Sequence, residues 1–190
     1  MKMAVGIFPG SFNPIHIGHL ALANWIREFC GLDELWFLVS PLNPFKDEAG
    51  LMDGNARLRM VEAAIDGYPG FKACDIEFRL PRPSYTINTL RELRRQFPDT
   101  AFLLIMGADN WENISCWKNF DELVDEFPII IYPRKDCEIT VPEKYANIKK
   151  VEAPLLEISS TFIRRSVREH RDVRFFLPEK VWAMRELFNP

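Results

Sequence analysis

Short apolar segments alternate with amphipathic segments along almost the whole chain. Continuous apolar runs predict buried strands at 3–8, 34–40, 101–106 and 127–133, and weaker runs predict strands at 71–78 and 148–154. Between them, apolar residues recur at helical spacing in segments 17–30, 57–66, 86–97 and 159–170, and again from about Pro178 onward. Strands that alternate with helices indicate a sheet covered by helices.

This alternation predicts an α/β fold with a doubly wound, Rossmann-like and mostly parallel sheet, with helices on both of its faces. The run at 101–106 is the most hydrophobic, which favours a central position, whereas 71–78 alternates as a strand nearer an edge does. Ligands of such sheets bind beyond the carboxyl ends of the strands, where the strand order reverses. Functional residues are therefore expected in the loops that follow the strands.

Glycines and hydroxyl residues predict several helix ends. Gly31 and Gly67 are placed to end the first two helices. Ser84 or Thr86 is expected to cap the helix at 86–97. A short helix is expected at 110–115, with Asp109 as one candidate for its N-cap.

Length and composition limit the class of protein. At 190 residues, with 47% hydrophobic and 27% charged residues, the chain predicts one domain over 1–190. A net charge of −3 disfavours a nucleic-acid partner, so phosphate chemistry would need a local cluster of cations. No run approaches the roughly 20 apolar residues of a membrane span. Four separated cysteines without a CxxC pair predict reduced thiols, hence a soluble cytoplasmic protein without a membrane partner.

The first candidate site is the stretch GSFNPIHIGHL at 10–20, which follows the first strand and opens the first helix. Gly10 permits a tight approach of the backbone, and Pro14 fixes the turn. His16 and His19 fall on one face of the first helical turn, where free N–H groups favour anions, and Gly18 leaves room between them. The alternative is a pair of surface histidines. A zinc site is disfavoured because no third ligand lies nearby in sequence.

The second candidate site is the stretch ISSTFIRRSV at 158–167. Ser159, Ser160 and Thr161 gather at a helix start, and Arg164 lies one turn further on. Hydroxyls, backbone N–H groups and a guanidinium together suit phosphate oxygens. The alternative is a capping serine that precedes a solvated basic face. Two anion sites in one sheet protein favour a polyphosphate ligand, provided that both segments meet over one cleft.

These stretches resemble the motifs of a known enzyme superfamily. GSFNPIHIGHL is similar to the (T/H)xGH signature of the nucleotidyltransferases, and ISSTFIR is similar to their C-terminal phosphate motif. SYTINTL at 84–90, GADNW at 107–111 and Trp117 resemble bacterial nicotinate-mononucleotide adenylyltransferases. SPLNPFK at 40–46 and RFFLPEKV at 174–181 are similar to that family's proline-rich loop and closing helix. The resemblance covers essentially the whole chain.

The resemblance implies that the phosphate of nicotinate mononucleotide attacks the α-phosphorus of ATP, with pyrophosphate as the leaving group and Mg²⁺ bound to the ATP phosphates. It implies a step of NAD biosynthesis. The implied catalytic residues are His16, His19, Lys46 and Arg164. The implied ATP-binding residues are Gly10, Ser11, Phe12, His16, Gly18, His19, Asp109, Ser159, Ser160, Thr161 and Arg164. The implied substrate-binding residues are Asn13, Lys46, Tyr85, Thr86, Trp117 and Arg134. No protein-held metal site is implied.

Several alternatives stay open at the level of the sequence. Trp117 could be a core or half-buried aromatic residue, Tyr85–Thr86 an ordinary helix start, and Arg134 a solvated hairpin or loop charge. Asn13 stands where many relatives carry Asp, and Lys135–Asp136 replaces the expected Pro-Gly after Arg134. A pantetheine-phosphate adenylyltransferase, a non-catalytic nucleotide sensor and an enzyme that prefers the amidated mononucleotide are the competing functions. The sequence also leaves open whether the chain forms homo-oligomers.

Overall fold

Six strands and seven α-helices alternate in the computed structural model, which describes residues 2–41 and 50–188. The strands are β1 (Met3–Gly10), β2 (Glu34–Val39), β3 (Phe71–Cys74), β4 (Thr100–Gly107), β5 (Ile129–Tyr132) and β6 (Ile148–Lys150). The helices are α1 (Ile17–Phe29), α2 (Gly54–Ile65), α3 (Thr86–Gln96), α4 (Ala108–Glu112), α5 (Phe120–Glu126), α6 (Ser160–Arg168) and α7 (Glu179–Trp182).

The strands form one sheet in the order β3-β2-β1-β4-β5-β6, and every neighbouring pair is parallel. The chain builds outward from β1 to β3 and then crosses to the other side of β1 to continue with β4. The strand order therefore reverses between β1 and β4, where a cleft opens beyond their carboxyl ends. The predicted Rossmann-like fold is confirmed, as are the edge position of β3 and the interior position of β4.

Two hydrophobic clusters cover the two faces of the sheet. One joins β1 and β2 to α1, α2, α6 and the segment after it, with Phe37, Met60 and Ile163 among its buried residues. The other joins β4 and β5 to α3 and α5, with Leu90 and Leu123 buried. Burial of both faces explains why the central strands are continuous apolar runs rather than alternating ones.

The structure corrects several predicted boundaries. The strand predicted over 71–78 ends at Cys74, because its partner β2 ends at Val39, and residues Ile76–Phe78 form a 3₁₀ turn. The last helix is shorter than expected: α7 ends at Trp182, and a 3₁₀ turn at Arg185–Phe188 follows. That tightening brings Phe188 into the core.

The predicted caps of α3 are also wrong. Tyr85 is the N-cap residue, with an extended backbone and no side-chain hydrogen bond. The Ser84 hydroxyl instead faces the carboxyl of Glu77, and Thr86 is the first helical residue. Ser159 caps α6, since its hydroxyl accepts the Phe162 N–H at 3.1 Å, so the alternative of a capping serine holds for this residue. Within residues 2–41 and 50–188, no helix is long and apolar enough to cross a membrane.

Candidate active site

Two cavities lie side by side beyond the carboxyl ends of β1, β4 and β5. One encloses about 690 Å³ and the other about 510 Å³. Both are lined by Asp109 and Tyr132, so the cavities meet at these two side chains. This position is the switch point of the sheet, where a doubly wound fold binds its ligands.

The smaller cavity contains both histidines of the first motif. Gly18 and Ser159 line it together with His16 and His19. The two imidazole rings stack at a centroid distance of 3.7 Å and an angle of 25°. A methyl group on Gly18 would lie 3.1 Å from the His16 ring, so glycine is the residue that this packing accommodates. The alternative interpretation of two surface histidines is wrong for His16, which is only 3% exposed.

The hydrogen bonds fix how the rings are turned. His19 Nδ1 accepts the backbone N–H of His16 at 3.3 Å, so a neutral His19 carries its proton on Nε2. The His16 ring faces the His19 N–H as in a capping box, but its buried Nδ1 makes no hydrogen bond of ordinary geometry. Burial, helped by the nearby Arg134 charge, lowers the pKa of His16 to about 4. His16 is therefore a neutral ring at physiological pH.

The two motifs meet, as the sequence interpretation required. Ser160 Oγ donates to the Pro14 carbonyl at 2.9 Å, and Arg164 Nη1 donates to the Asn13 carbonyl at 2.6 Å. These bonds attach the start of α6 to the loop between β1 and α1, across about 150 residues of sequence. Ser159 reaches the smaller cavity, whereas the Ser160 and Arg164 side chains are used to hold the loop. Thr161 is exposed at the first turn of α6.

Side chains and carbonyls of the β1–α1 loop mainly contact other parts of the protein and so hold the loop in place, rather than face the cavities. Gly10 borders the larger cavity, and a methyl group there would lie 2.7 Å from the Phe12 ring. Phe12 is 2% exposed in the core at a φ of 44°, and its ring packs 5.1 Å from that of His19. The Ser11 carbonyl accepts from Arg57 at 2.6 Å. The Asn13 amide bridges to Gly50 O at 2.9 Å and to the Met52 N–H at 3.1 Å.

The larger cavity gathers the predicted acceptor residues. Tyr85, Thr86 and the half-buried Trp117 line it, although they come from two separate loops. Thr86 opens α3, an 11-residue helix whose N-terminus therefore faces the cavity. Such an end presents backbone N–H groups and partial positive charge. Trp117 is half-buried and packs partly against the core, so its role as a stacking surface stays a prediction beside the alternative of a half-buried aromatic residue.

A loose ion pair marks the border between the cavities. Arg134 Nε lies 3.6 Å from Asp109 Oδ1, and Arg134 Nη2 donates to the Tyr132 hydroxyl at 3.1 Å. Gly107 leaves space for this group, because a methyl group there would lie 2.3 Å from Asp109 Oδ1. Gly107 is also the N-cap residue of α4, so the alternative role of Asp109 as that cap is wrong. Lys46 lies outside the described residues.

Comparisons with known proteins give one consistent family. The family described as cytidylyltransferase-like matches residues 7–166. A Bacteroides fragilis protein named "Probable nicotinate-nucleotide adenylyltransferase" is 49% identical over 95% of this chain and 90% of its own length. A protein of the same name from Azobacteroides pseudotrichonymphae is 45% identical over 99% of this chain and all of its own length.

The chain belongs to the nicotinate-nucleotide adenylyltransferases. Among solved structures, a Plasmodium falciparum nicotinic acid mononucleotide adenylyltransferase complexed with NaAD superposes with a TM-score of 0.79. It shares 20% identity and covers 96% of this chain and 95% of its own, which supports the fold. A second complex of the Plasmodium falciparum enzyme, with APC, superposes with a TM-score of 0.78 at 20% identity over 99% of this chain and 98% of its own.

Two buried charged residues near the site were missed by the sequence interpretation. Arg57 is fully buried and donates to the carbonyls of Ser11, Ser40, Pro41 and Met52. Glu77 is 5% exposed and lines the larger cavity. Both carry a signal in the sequence, since Arg57 takes a position on the apolar face of α2, and Glu77 stands between two apolar residues. A charged residue within an apolar pattern indicates a buried polar contact.

Proposed function

We propose that this nucleotidyltransferase transfers the adenylyl group of ATP to nicotinate mononucleotide, releasing pyrophosphate and forming nicotinate adenine dinucleotide. The observation that carries the proposal is the pair of cavities that meet at Asp109 and Tyr132. One cavity is lined by two stacked imidazoles, and the other is lined by a tryptophan and by the start of a helix. Two substrates bound in adjoining cavities hold their phosphates close enough to react, which supplies the proximity that such a transfer needs.

ATP occupies the smaller cavity in this proposal, with its α-phosphate against the histidines. His19 donates from Nε2 to an α-phosphate oxygen, because its Nδ1 is already engaged by the His16 N–H. The contact strengthens as negative charge builds on that oxygen in the transition state. His16, held neutral by burial, supports the ring from behind. No side chain needs to act as a nucleophile, since the acceptor phosphate attacks directly.

Nicotinate mononucleotide occupies the larger cavity. Trp117 offers its face to the pyridine ring, and the N–H groups at the start of α3, around Tyr85 and Thr86, bind the ring carboxylate. Asp109 lies at the border and is placed to accept from a ribose hydroxyl, while Arg134 beside it contributes positive charge where the two phosphates meet. Asn13 contributes by joining the β1–α1 loop to Gly50 and Met52.

The leaving pyrophosphate is held by the start of α6. Ser159 lines the cavity there, and the N–H groups of Ser160 and Thr161 belong to the same helix start. Arg164 donates one N–H to the Asn13 carbonyl, and its other N–H groups can donate to phosphate oxygens. The backbone of Gly10–Phe12 lies at the carboxyl end of β1, the end of the sheet at which the cavities open. Lys46 is proposed as a further phosphate cation on sequence grounds.

Magnesium enters with ATP in this proposal. Among the described residues no group of three or more His, Cys, Asp or Glu side chains is arranged to hold a metal ion. Phosphate oxygens are the ligands that Mg²⁺ prefers to share with a protein, so the ion would be held mainly by ATP. Bound there, it would offset charge on the departing pyrophosphate. The substrates and the free thiols fit a cytoplasmic enzyme.

Pyrophosphate release tests the proposal. Purified protein with MgATP is given nicotinate mononucleotide, its amide or phosphopantetheine in parallel. We expect release with the mononucleotides and none with phosphopantetheine. Release with phosphopantetheine alone would overturn the assignment of the acceptor, and ATP binding without release with any acceptor would indicate a sensor.

A His19→Asn variant tests the assigned donor. Asn keeps an acceptor near the position of Nδ1, so the bond to the His16 N–H can persist, but the Nε2 donor is lost. We expect kcat to fall by roughly 10²–10³, the range for one transition-state donor, with little change in ATP binding. His170→Asn is the matched control, because His170 is exposed and lines neither cavity.

A further inference from the structure

Phe12 has a backbone conformation that phenylalanine rarely adopts. Its φ is 44°, in the left-handed region, where the Cβ of an L-residue crowds its own backbone. The side chain is 2% exposed within the core. Backbone strain of this kind persists only where the surrounding structure enforces it, and it is concentrated near functional sites. The contacts of Phe12 therefore indicate what the strained conformation achieves.

The strained turn folds the Phe12 ring back over the end of β1. A methyl group on Gly10 would lie 2.7 Å from the tip of the ring, so the ring lies directly against the Gly10 backbone. Arg57, fully buried on α2, donates from Nη1 to the Ser11 carbonyl at 2.6 Å. That carbonyl belongs to the peptide unit that leads into Phe12. Gly10 thus leaves space for the folded-back ring, and Arg57 holds the backbone that places it there.

The Phe12 ring forms one wall of the space that the His19 ring occupies. The two ring centroids are 5.1 Å apart at an interplanar angle of 78°, an edge-to-face arrangement that aromatic pairs favour. The His16 ring stacks on the His19 ring at 3.7 Å, and the Phe8 ring lies 6.5 Å away at an angle of 65°. His19 is therefore packed against one nearly parallel ring and two steeply inclined rings.

This packing restrains the direction in which His19 donates. The hydrogen bond from the His16 N–H to His19 Nδ1, at 3.3 Å, is a single contact, and the imidazole plane could still tilt about it. The Phe12 ring opposes that tilt. A donor stabilises a transition state only if it points at the oxygen on which charge develops. A displacement of about 1 Å can lower a rate by about 10²-fold.

We infer that Phe12 is a positioning residue for the transfer reaction, and that its ring fixes the direction of the His19 Nε2 donor. This inference rests on the proposed function, which assigns the α-phosphate contact to that nitrogen. It gives Phe12 a different role from the ATP contact that the resemblance implies, because the Phe12 side chain is buried and lines neither cavity. Phe12 should therefore affect the rate of transfer and not the binding of substrates.

Phe12→Leu keeps an apolar side chain and removes the ring. We expect the rate constant for transfer, measured in a single turnover, to fall roughly tenfold, with KM for both substrates within about twofold of the wild type. Phe37→Leu is the matched control. Phe37 is fully buried on β2, and among the described residues its ring contacts are with Phe8, Phe12 and Phe71. Its rate constant should stay within about twofold of the wild type. An equal loss in both variants, or none in Phe12→Leu, overturns the inference.

A double-mutant cycle with His19→Asn separates positioning from a general loss of packing. If Phe12 acts through His19, Phe12→Leu should lower the rate constant roughly tenfold in the wild type and hardly at all in the His19→Asn variant. A loss of packing that acts on the cavity independently of His19 would multiply the two losses instead. Multiplied losses therefore contradict the inference, even if each single variant behaves as expected.

A measurement on the wild type gives a result even if a variant does not fold. Nuclear Overhauser spectra of isotope-labelled protein report contacts between the ring protons of Phe12 and His19. We expect cross-peaks between the two rings, because their centroids are 5.1 Å apart, and their absence defeats the inference. No pyrophosphate release by the wild type with either mononucleotide defeats the proposed function. Release by the wild type with an unchanged rate in Phe12→Leu defeats the inference alone.

Discussion

Acid should destabilise this protein through the buried ring of His16. The ring is 3% exposed, its Nδ1 makes no hydrogen bond, and burial together with Arg134 lowers its pKa from 6.5 to about 4. As the pH falls, the unfolded chain binds a proton on His16 before the folded chain does. Each proton bound preferentially by the unfolded state lowers the free energy of unfolding. The loss therefore begins near pH 6.5 and is complete below about pH 4.

The size of the loss follows from the two pKa values. At about pH 4.5 the unfolded histidine is almost fully protonated and the folded one only in part, which gives about 2.5 kcal/mol. At pH 7 the same linkage contributes almost nothing. Other groups also titrate over this interval, so the prediction concerns the difference between the wild type and a variant that lacks this histidine.

Urea unfolding at about pH 7 and about pH 4.5 measures this difference. His16→Gln has no titrating ring, and its free energy of unfolding should fall by about 2.5 kcal/mol less than that of the wild type. His170→Gln replaces an exposed histidine and should behave as the wild type does. If His16→Gln loses as much stability as the wild type between the two pH values, the ring is not buried in the neutral form and this reasoning is refuted.

Three further substitutions test the frame of the site. Arg57→Met leaves four backbone carbonyls without their donor, and we expect a loss of about 3 kcal/mol or more in urea unfolding. Gly107→Ala forces Asp109 away from Arg134 at the border of the cavities, so kcat/KM should fall roughly tenfold. The free energy of unfolding should change by less than about 1 kcal/mol, because the displaced Asp109 side chain is exposed. Trp117→Leu removes the stacking face and should raise KM for the mononucleotide roughly tenfold without changing KM for ATP.

The sequence predicts the order of elements well because burial controls it. Strands β1, β2, β4 and β5 lie within or close to the predicted apolar runs, since a sheet covered on both faces selects apolar residues at every position. The predicted ends of helices and strands are wrong where tertiary contacts determine them. The turn at Ile76–Phe78 contacts the start of α3, since Glu77 faces Ser84 and Thr89, and it also faces Ser40 just after β2.

The motifs predict which segments meet, and the structure confirms that they share one cleft. Family, fold and enzyme class are likewise confirmed, whereas the individual site residues stay predictions. The motifs do not predict which contacts each side chain makes. Phe12 turns into the core, and Asn13 bridges to residues beyond the next strand. These contacts join positions far apart in sequence, and no local pattern specifies them.

The same contacts show how arginine side chains are used in the β1–α1 loop of a chain with a net charge of −3. Arg57 and Arg164 direct hydrogen bonds to backbone carbonyls of the β1–α1 loop instead of to carboxylates. Carbonyls orient a guanidinium through several donors without forming an ion pair with it. Arg134, at the border of the two cavities, has only a loose pair with Asp109 at 3.6 Å. Arg57 and Arg164 thus position the loop, which a lysine with its single ammonium group could do only in part.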